Sequence, residues 1–349
     1  MRDTDELYMH RCIELALLGA GSVAPNPLVG AVLVHEGKII GEGYHQKYGQ
    51  AHAEVNCIKN VSDKDRKFIS AATLYVSLEP CTHFGKTPPC SDLIIQKEIK
   101  KVVIGCRDPF SEVNGKGIDK LQKAGIEVVV GTLEPECKEL NKRFFTFHTK
   151  QRPYIILKWA QTANNKISSD LNERLLISNA YSNRLVHQWR TEEASILIGT
   201  NTALRDDPSL DNRLWRGKSP VRMVLDLSLR LPNTLTLFNR QQRTIIFNLL
   251  KQEEDGNISY YQIQDETHLI QQILNACFTL NLQSVLVEGG TKFLQSFIDE
   301  GLWDEARIIT NEELIISNGL HAPILQHHHQ VKTEKIVSDT ITYYVSSNR

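Results

Sequence analysis

The chain has 349 residues, 41% of them hydrophobic and 23% charged, with a formal net charge of −1. That length and balance suit a soluble protein of two ordinary domains, and the near-zero charge gives no electrostatic ground for a nucleic-acid partner. No apolar run approaches the ~20 residues that span a bilayer, the start is too polar for a secretory signal, and seven scattered cysteines argue against a disulfide framework, so the expectation is a cytoplasmic protein without membrane partners.

Leu7, Ile13, Leu17 and Leu18 recur at helical spacing and predict a first helix ending near Gly19 or Gly21. Pro25-Asn26-Pro27 is a rigid turn. The run 29–34 reads as a buried strand, 35–38 as a hairpin turn and 39–42 as the returning strand. Asn26 is a turn residue by type and a candidate substrate contact by position, because the strand after it enters the pocket. Helices are expected at 53–58, directly after His52, at 91–97 with Ser91 as cap, at 118–124 before Gly125, and at 134–147. Strands are expected at 73–78, 101–104 and 127–130. This alternation predicts a three-layer α/β domain with a partly parallel sheet.

Within that domain, His52-Ala53-Glu54 is followed by Pro80-Cys81 and, after an eight-residue loop, by Cys90. One imidazole and two thiolates supply three ligands to a tetrahedral zinc and leave a fourth position for water. A carboxylate two residues from the histidine is placed to move protons beside that water. The order His-x-Glu, Pro-Cys, Cys is that of the zinc deaminases. Its spacing departs from the commonest form, Pro-Cys-x-x-Cys. The remaining cysteines read as small buried hydrophobes.

The stretch 148–153 is polar, ends in proline and reads as a linker, with a boundary near 150. Beyond it, strands are expected at 154–159, 195–199, 221–227, 244–247 and 284–288, and helices at 179–191, 269–280 and 291–299. The helix at 179–191 carries Arg184, His187 and Arg190. A strand running into Gly289-Gly290 and then a helix at Thr291 is a candidate phosphate site. His327, His328 and His329 cannot all face one ion from a regular element and are read as exposed loop.

Three segments carry a resemblance: 25–32 (Pro-Asn-Pro-Leu-Val-Gly-Ala-Val), 52–54 (His-Ala-Glu) and 78–90 (Leu-Glu-Pro-Cys-Thr-His-Phe-Gly-Lys-Thr-Pro-Pro-Cys). They closely resemble the deaminase half of the bifunctional riboflavin-biosynthesis deaminase/reductase family. Segments 199–210, 224–226 and 287–290 look like its reductase half, more loosely. The resemblance implies a cytidine-deaminase-like domain (1–147) followed by a dihydrofolate-reductase-like domain (153–349). It implies one zinc per chain, held by His52, Cys81 and Cys90, with Glu54 as proton shuttle. It also implies NADPH in the second domain and a phosphoribosylated pyrimidine as substrate. Lys86 and Thr87 are then candidate contacts for the phosphoribosyl arm. Thr202, Asp206, Gly289, Gly290 and Thr291 fall near the cofactor, and Arg190, Leu210, Arg213 and Glu288 near the substrate. A dimer is expected, since both folds commonly self-associate.

The second half also departs from that family's pattern. Asn164-Asn165 stands where Asp-Gly is usual, Arg174 where a serine contacts substrate, and Leu176 where an aromatic lies at the cofactor. Asparagine still tolerates a left-handed turn, and Arg174 is a candidate phosphate contact. These changes leave open a second half that only binds or oligomerises. A nucleoside or RNA deaminase is a third reading, disfavoured by the neutral charge and the long cysteine loop.

Overall fold

A computed structural model describes residues 2–82, 84, 88–169, 175–265 and 267–347. Lys86, Thr87 and Arg174 lie outside the described residues. The chain divides into two compact units, Met1–Gln151 and Arg152–Arg349. Among the described residues no helix is long and apolar enough to cross a membrane.

The first unit runs α1 (Arg2–Leu17), β1 (Gly30–His35), β2 (Lys38–Tyr44), α2 (Ala53–Lys59), β3 (Thr73–Leu78), α3 (Cys90–Gln96), β4 (Lys101–Cys106), α4 (Lys116–Lys123), β5 (Glu127–Val130), α5 (Glu134–Leu140) and α6 (Lys142–Lys150). Its five-stranded sheet has the order β2-β1-β3-β4-β5. β1 is antiparallel to β2 and β3, and β3, β4 and β5 are parallel. Successive strand residues serve opposite faces, as the two-residue period requires. Leu33, Leu74, Val76 and Val102 pack with Ala53, Cys57, Ile94 and Leu121 from α2, α3 and α4. Val32, Tyr75 and Val103 pack with Met9, Cys12 and Cys137 from α1 and α5 on the other side. The result is the expected three-layer domain. Gly43 allows α2 to lie directly on β2, because a Cβ there would come within 2.2 Å of the Cys57 amide nitrogen.

Two local expectations are corrected. α3 starts at Cys90, so Ser91 lies inside the helix instead of capping it. The helix expected over 134–147 breaks at Asn141, whose side chain accepts from Leu28 N and donates to Leu28 O, both at 2.8 Å. An asparagine paired this way satisfies a distant backbone and interrupts its own helix. α6 then continues to Lys150, through part of the stretch read as linker.

The second unit contains β6 (Tyr154–Thr162), α7 (Ala180–Glu192), β7 (Ser195–Gly199), α8 (Thr200–Asp206), β8 (Val221–Leu225), β9 (Thr244–Asn248), β10 (Glu253–Asp255), β11 (Ile258–Gln262), α9 (Leu269–Thr279), β12 (Ser284–Glu288), α10 (Thr291–Asp299), β13 (Glu305–Asn311), β14 (His328–Ile336) and β15 (Asp339–Ser346). Its ten-stranded sheet runs β10-β11-β9-β8-β7-β12-β6-β13-β15-β14. The stretch from β11 to β13 is parallel throughout, with antiparallel strands at both edges. One face packs Leu157, Leu197, Met223 and Val287 against Ile273, Leu294 and Phe297 of α9 and α10. The other packs Ile156, Ile198, Val224 and Leu286 with Ala203 and Leu210. β12 lies between β7 and β6, so its C-terminal end is a crevice where the strand order turns back on itself. His328 and His329 open β14 instead of lying in a loop; both are exposed, as expected. Asn165 takes the left-handed turn its side chain tolerates, with φ +57°.

Candidate active sites

The first site forms where β3 ends and α2 and α3 begin. His52 is the residue before α2, Cys81 follows β3, and Cys90 is the first residue of α3. His52 Nδ1 lies 3.5 Å from Cys81 Sγ and 3.4 Å from Cys90 Sγ, and all three candidate ligand atoms lie within 4.8 Å of one another. Tetrahedral zinc with bonds of about 2.0–2.3 Å to nitrogen and sulfur separates its ligands by about 3.5 Å. The donor set and its spacing therefore fit zinc.

The electrostatics support that fit. The Cys81 thiol is held down to about 4 by the Cys90 thiol that hydrogen-bonds to it and by His52, against the opposing effect of burial. The Cys90 amide also donates to Cys81 Sγ at 3.4 Å. His52 is raised by its bond to Cys81, against burial. Glu54 is only 3% exposed, and burial raises its carboxyl above the usual range, with His52 opposing. A carboxyl that holds its proton more readily than usual, in the first turn of α2 two residues after His52, is suited to taking and returning protons.

Further groups frame this site. Asn26 Nδ2 donates to His45 Nε2 at 3.2 Å, and His45 Nδ1 donates to the Ala51 carbonyl at 3.1 Å. Burial lowers the His45 imidazole below its ordinary range, against the bond to Ala51, and its ring stands edge-on to His52 with centroids 5.4 Å apart. Glu79 accepts from the amides of Gly117 (2.9 Å), Gly115 (3.0 Å), Asp108 (3.3 Å) and Ile118 (3.3 Å). It thereby ties the loop before α4 to the strand end that presents Cys81. Burial, with Glu79 adding to it, pushes Asp108 up to about 7.

The second site lies at the end of β12. Arg190 Nε and Nη2 fork onto the two oxygens of Glu288 at 3.1 and 3.0 Å, and Arg190 Nη1 donates to the Asp211 carbonyl at 3.0 Å. Lys158 Nζ stands 3.6 Å from Glu288, because β6 and β12 pair in a register that sets Lys158 directly beside it. Burial alone would raise Glu288, but Arg190 and Lys158 outweigh it and hold the carboxyl down to about 2. Immediately beyond, Gly289 and Gly290 lead into α10, where Gly290 is the capping residue. A Cβ at Gly289 would lie 3.3 Å from the Phe293 ring, and one at Gly290 3.8 Å from Thr202 Oγ1. Two glycines thus stand at a helix N-terminus, where free backbone N–H groups and the helix dipole favour an anion such as a phosphate.

A family model described as "Cytidine and deoxycytidylate deaminase zinc-binding region" matches residues 2–106, and one described as "RibD C-terminal domain" matches residues 153–313. "Riboflavin biosynthesis protein RibD" of Aquifex aeolicus is 41% identical, covering 87% of this chain and 86% of that one. The chain belongs to the RibD family. The protein of the same name from Actinobacillus pleuropneumoniae is 38% identical over 92% of this chain and 87% of its own. Among solved structures, the diaminohydroxyphosphoribosylaminopyrimidine deaminase/5-amino-6-(5-phosphoribosylamino)uracil reductase of Thermotoga maritima superposes with a TM-score of 0.89 at 35% identity, covering 99% of each chain. RibD-family chains join a zinc deaminase domain to an NADPH-dependent reductase domain, and this chain carries both. That sets aside a nucleoside or RNA deaminase and a second half without reductase function.

The structure brings most residues anticipated from the RibD resemblance into two groups. His52, Glu54, Cys81 and Cys90 converge, and Asn26 reaches them through His45. Arg190 and Glu288 meet directly, so the arginine expected to face substrate already grips the carboxylate. Arg213 is half-exposed and held by Asp211 at 2.5 Å. Leu210 is 2% exposed in the core cluster, with φ +50°, and precedes the residue whose carbonyl Arg190 uses. Thr202 faces Gly290, Thr291 donates to the His321 carbonyl, and Asp206 closes α8. Leu176 is 75% exposed. Sequence reading missed His45, Glu79 and Lys158. Only the Lys158 position, fifth in a strand whose register with β12 is unknown beforehand, could have been found by pairing the two strands.

Proposed function

We propose that the first unit removes an amino group from 2,5-diamino-6-(5-phosphoribosylamino)pyrimidin-4-one. The second then reduces the product, 5-amino-6-(5-phosphoribosylamino)uracil, opening its ribose to a ribityl chain. The observation that carries this reading is the convergence of His52 Nδ1, Cys81 Sγ and Cys90 Sγ beside buried Glu54. The two activities named for the Thermotoga maritima relative support its assignment to this chain.

Zinc, when bound by His52, Cys81 and Cys90, supplies a Lewis acid that makes water nucleophilic near neutral pH. Glu54 takes a proton from the attacking water and delivers it to the ring nitrogen beside the reacting carbon, then takes the second proton from the newly added hydroxyl and delivers it to the amine, which leaves as ammonia while the carbonyl forms. Burial raises its carboxyl and so favours the protonated form that the delivery step uses. Asn26, set by His45, binds the pyrimidine edge, and Lys86 and Thr87 take the phosphoribosyl arm. In the second unit NADPH supplies hydride, its phosphates seated at Gly289, Gly290 and Thr291 with Thr202 and Asp206 alongside. Arg190, Arg213, Arg174 and the backbone at Leu210 hold the sugar phosphate, and Glu288 with Lys158 orients the ribose. The active form is taken to be a cytoplasmic dimer, which light scattering checks. All seven cysteines are free thiols, which suits a reducing compartment.

The deciding test is metal content against turnover in Glu54→Ala. The purified chain should carry about one zinc, and the variant should keep the zinc while ammonia release stops. Normal ammonia release by that variant would remove Glu54 from the mechanism.

A further inference from the structure

Lys166 and His321 belong to neither group of site residues. Lys166 stands four residues beyond the end of β6, and His321 lies in the loop between β13 and β14. Lys166 Nζ donates to His321 Nε2 at 2.8 Å and to the Gly319 carbonyl at 3.1 Å. An ammonium can only donate, so His321 Nε2 accepts and the ring is neutral with its proton on Nδ1. One N–H of the ammonium is left unengaged. Among the described residues neither side chain meets a carboxylate. Lys166 is partly exposed and His321 exposed, so a ligand can reach both. The backbone beneath them is pinned. Ile167 N donates to the Leu320 carbonyl and Ala322 N to the Asn165 carbonyl, each at 2.9 Å. Gly319, at φ +150°, packs so closely that a Cβ there would come within 1.8 Å of the Ser168 carbonyl oxygen. The same loop touches the glycine turn after β12, because the Thr291 hydroxyl donates to the His321 carbonyl and Thr291 is the first residue of α10. β6 runs four residues past Lys158, which stands beside Glu288 at the end of β12, so the turn bearing Lys166 rises as a wall over that strand end.

We infer that Lys166, oriented by His321, is a cofactor contact of the second unit and pairs with the pyrophosphate of NADPH. This rests on the reading that seats the cofactor's phosphates at Gly289, Gly290 and Thr291. Chemistry selects the group. A pyrophosphate presents acceptor oxygens alone and carries two negative charges. Backbone amides at a helix N-terminus meet it with hydrogen bonds and only a partial charge. An ammonium adds a full positive charge and a charge-assisted hydrogen bond. His321 is a neutral acceptor, so it aims the ammonium and leaves its charge intact, whereas a carboxylate in that place would neutralise it. Arg190, Arg213 and Lys158 are engaged with Glu288 and Asp211, which leaves Lys166 as a cation beside the glycine turn without an anion of its own.

The test is a binding titration on the full chain, read by NADPH fluorescence, with NADH as a second probe and melting temperature as the control for folding. Lys166→Met should raise the Kd for NADPH about tenfold. It should also flatten the dependence of Kd on added salt, because a charge pair open to solvent is screened and an apolar side chain is not. NADH should weaken by the same factor, since it carries the same pyrophosphate. Lys166→Arg keeps the charge and the donors and should recover most of the loss. An unchanged Kd for NADPH in Lys166→Met overturns the inference alone. So does a loss for NADPH with none for NADH, which moves Lys166 to the 2′-phosphate. A loss that comes with a lower melting temperature, keeps the parent's salt dependence and is not recovered by Lys166→Arg makes Lys166 a loop tie, and the inference fails. A parent that binds neither NADPH nor NADH overturns the cofactor reading and this inference with it.

Discussion

Glu54, a buried carboxylate, and Glu288, a partly buried one, have opposite fates. Glu54 is raised by burial, whereas Glu288 is carried below the usual range by Arg190 and Lys158. The first suits proton transfer and the second a fixed charge. Glu54→Gln should reduce ammonia release at least about 10³-fold, since the amide cannot relay a proton; retained zinc, measured by mass spectrometry, shows that the fold survives. Arg190→Met leaves the partly buried Glu288 without its principal partner and should cost about 3–5 kcal/mol in the stability of the second unit at pH 7. Because the folded pKa of Glu288 is depressed, its contribution is present above the unfolded value of 4.5 and is lost as pH falls towards about 2. The gap between parent and variant should therefore close when denaturation is repeated at low pH. At this scale the zinc residues were legible because His-x-Glu, Pro-Cys and Cys follow one another in the order of the zinc deaminases. Lys158, His45 and Glu79 were not, because strand register and loop closure, rather than local spacing, bring them to their sites.

α7 shows what an element contributes to a site. Asn179 caps it, accepting from Tyr181 N and Ser182 N at 3.0 Å and donating to the Ile336 carbonyl at 2.8 Å. The cap therefore fixes both the start of α7 and its seat on β14, and with them the places of His187 and Arg190. Asn179→Ala should cost about 1–2 kcal/mol and should raise KM for the deaminated ribotide more than it changes kcat, as steady-state NADPH oxidation would register. Most elements with a strong period were legible, including α10 and the buried strands β3, β7 and β12. The edges of the large sheet were not. β14 is exposed along most of its length, so it carries no apolar alternation to read. The cap placed at Ser91 and the unbroken helix through Asn141 failed because partners distant in the chain decide both. A cysteine held at the site starts α3, and Leu28 takes the Asn141 side chain.

The whole molecule is two chemical units on one chain. Each has its own sheet and core, so each activity should survive loss of the other. Removing zinc with a chelator should abolish ammonia release while leaving NADPH oxidation on pre-deaminated ribotide intact; parallel loss of both would show that the metal supports the entire chain. The departures at Asn164, Asn165 and Leu176 leave the second unit's framework in place. Asn165 makes the turn, and Asn164 accepts from Thr162 at 2.7 Å and donates to the Ile316 carbonyl at 2.7 Å. A bifunctional enzyme is therefore tested most directly by one assay that follows ammonia and NADPH separately, with zinc-loaded protein and the diaminopyrimidine ribotide. Ammonia should appear first, and NADPH should then be consumed in equal amount. Ammonia release without NADPH consumption, or NADPH consumption without ammonia release, would contradict it.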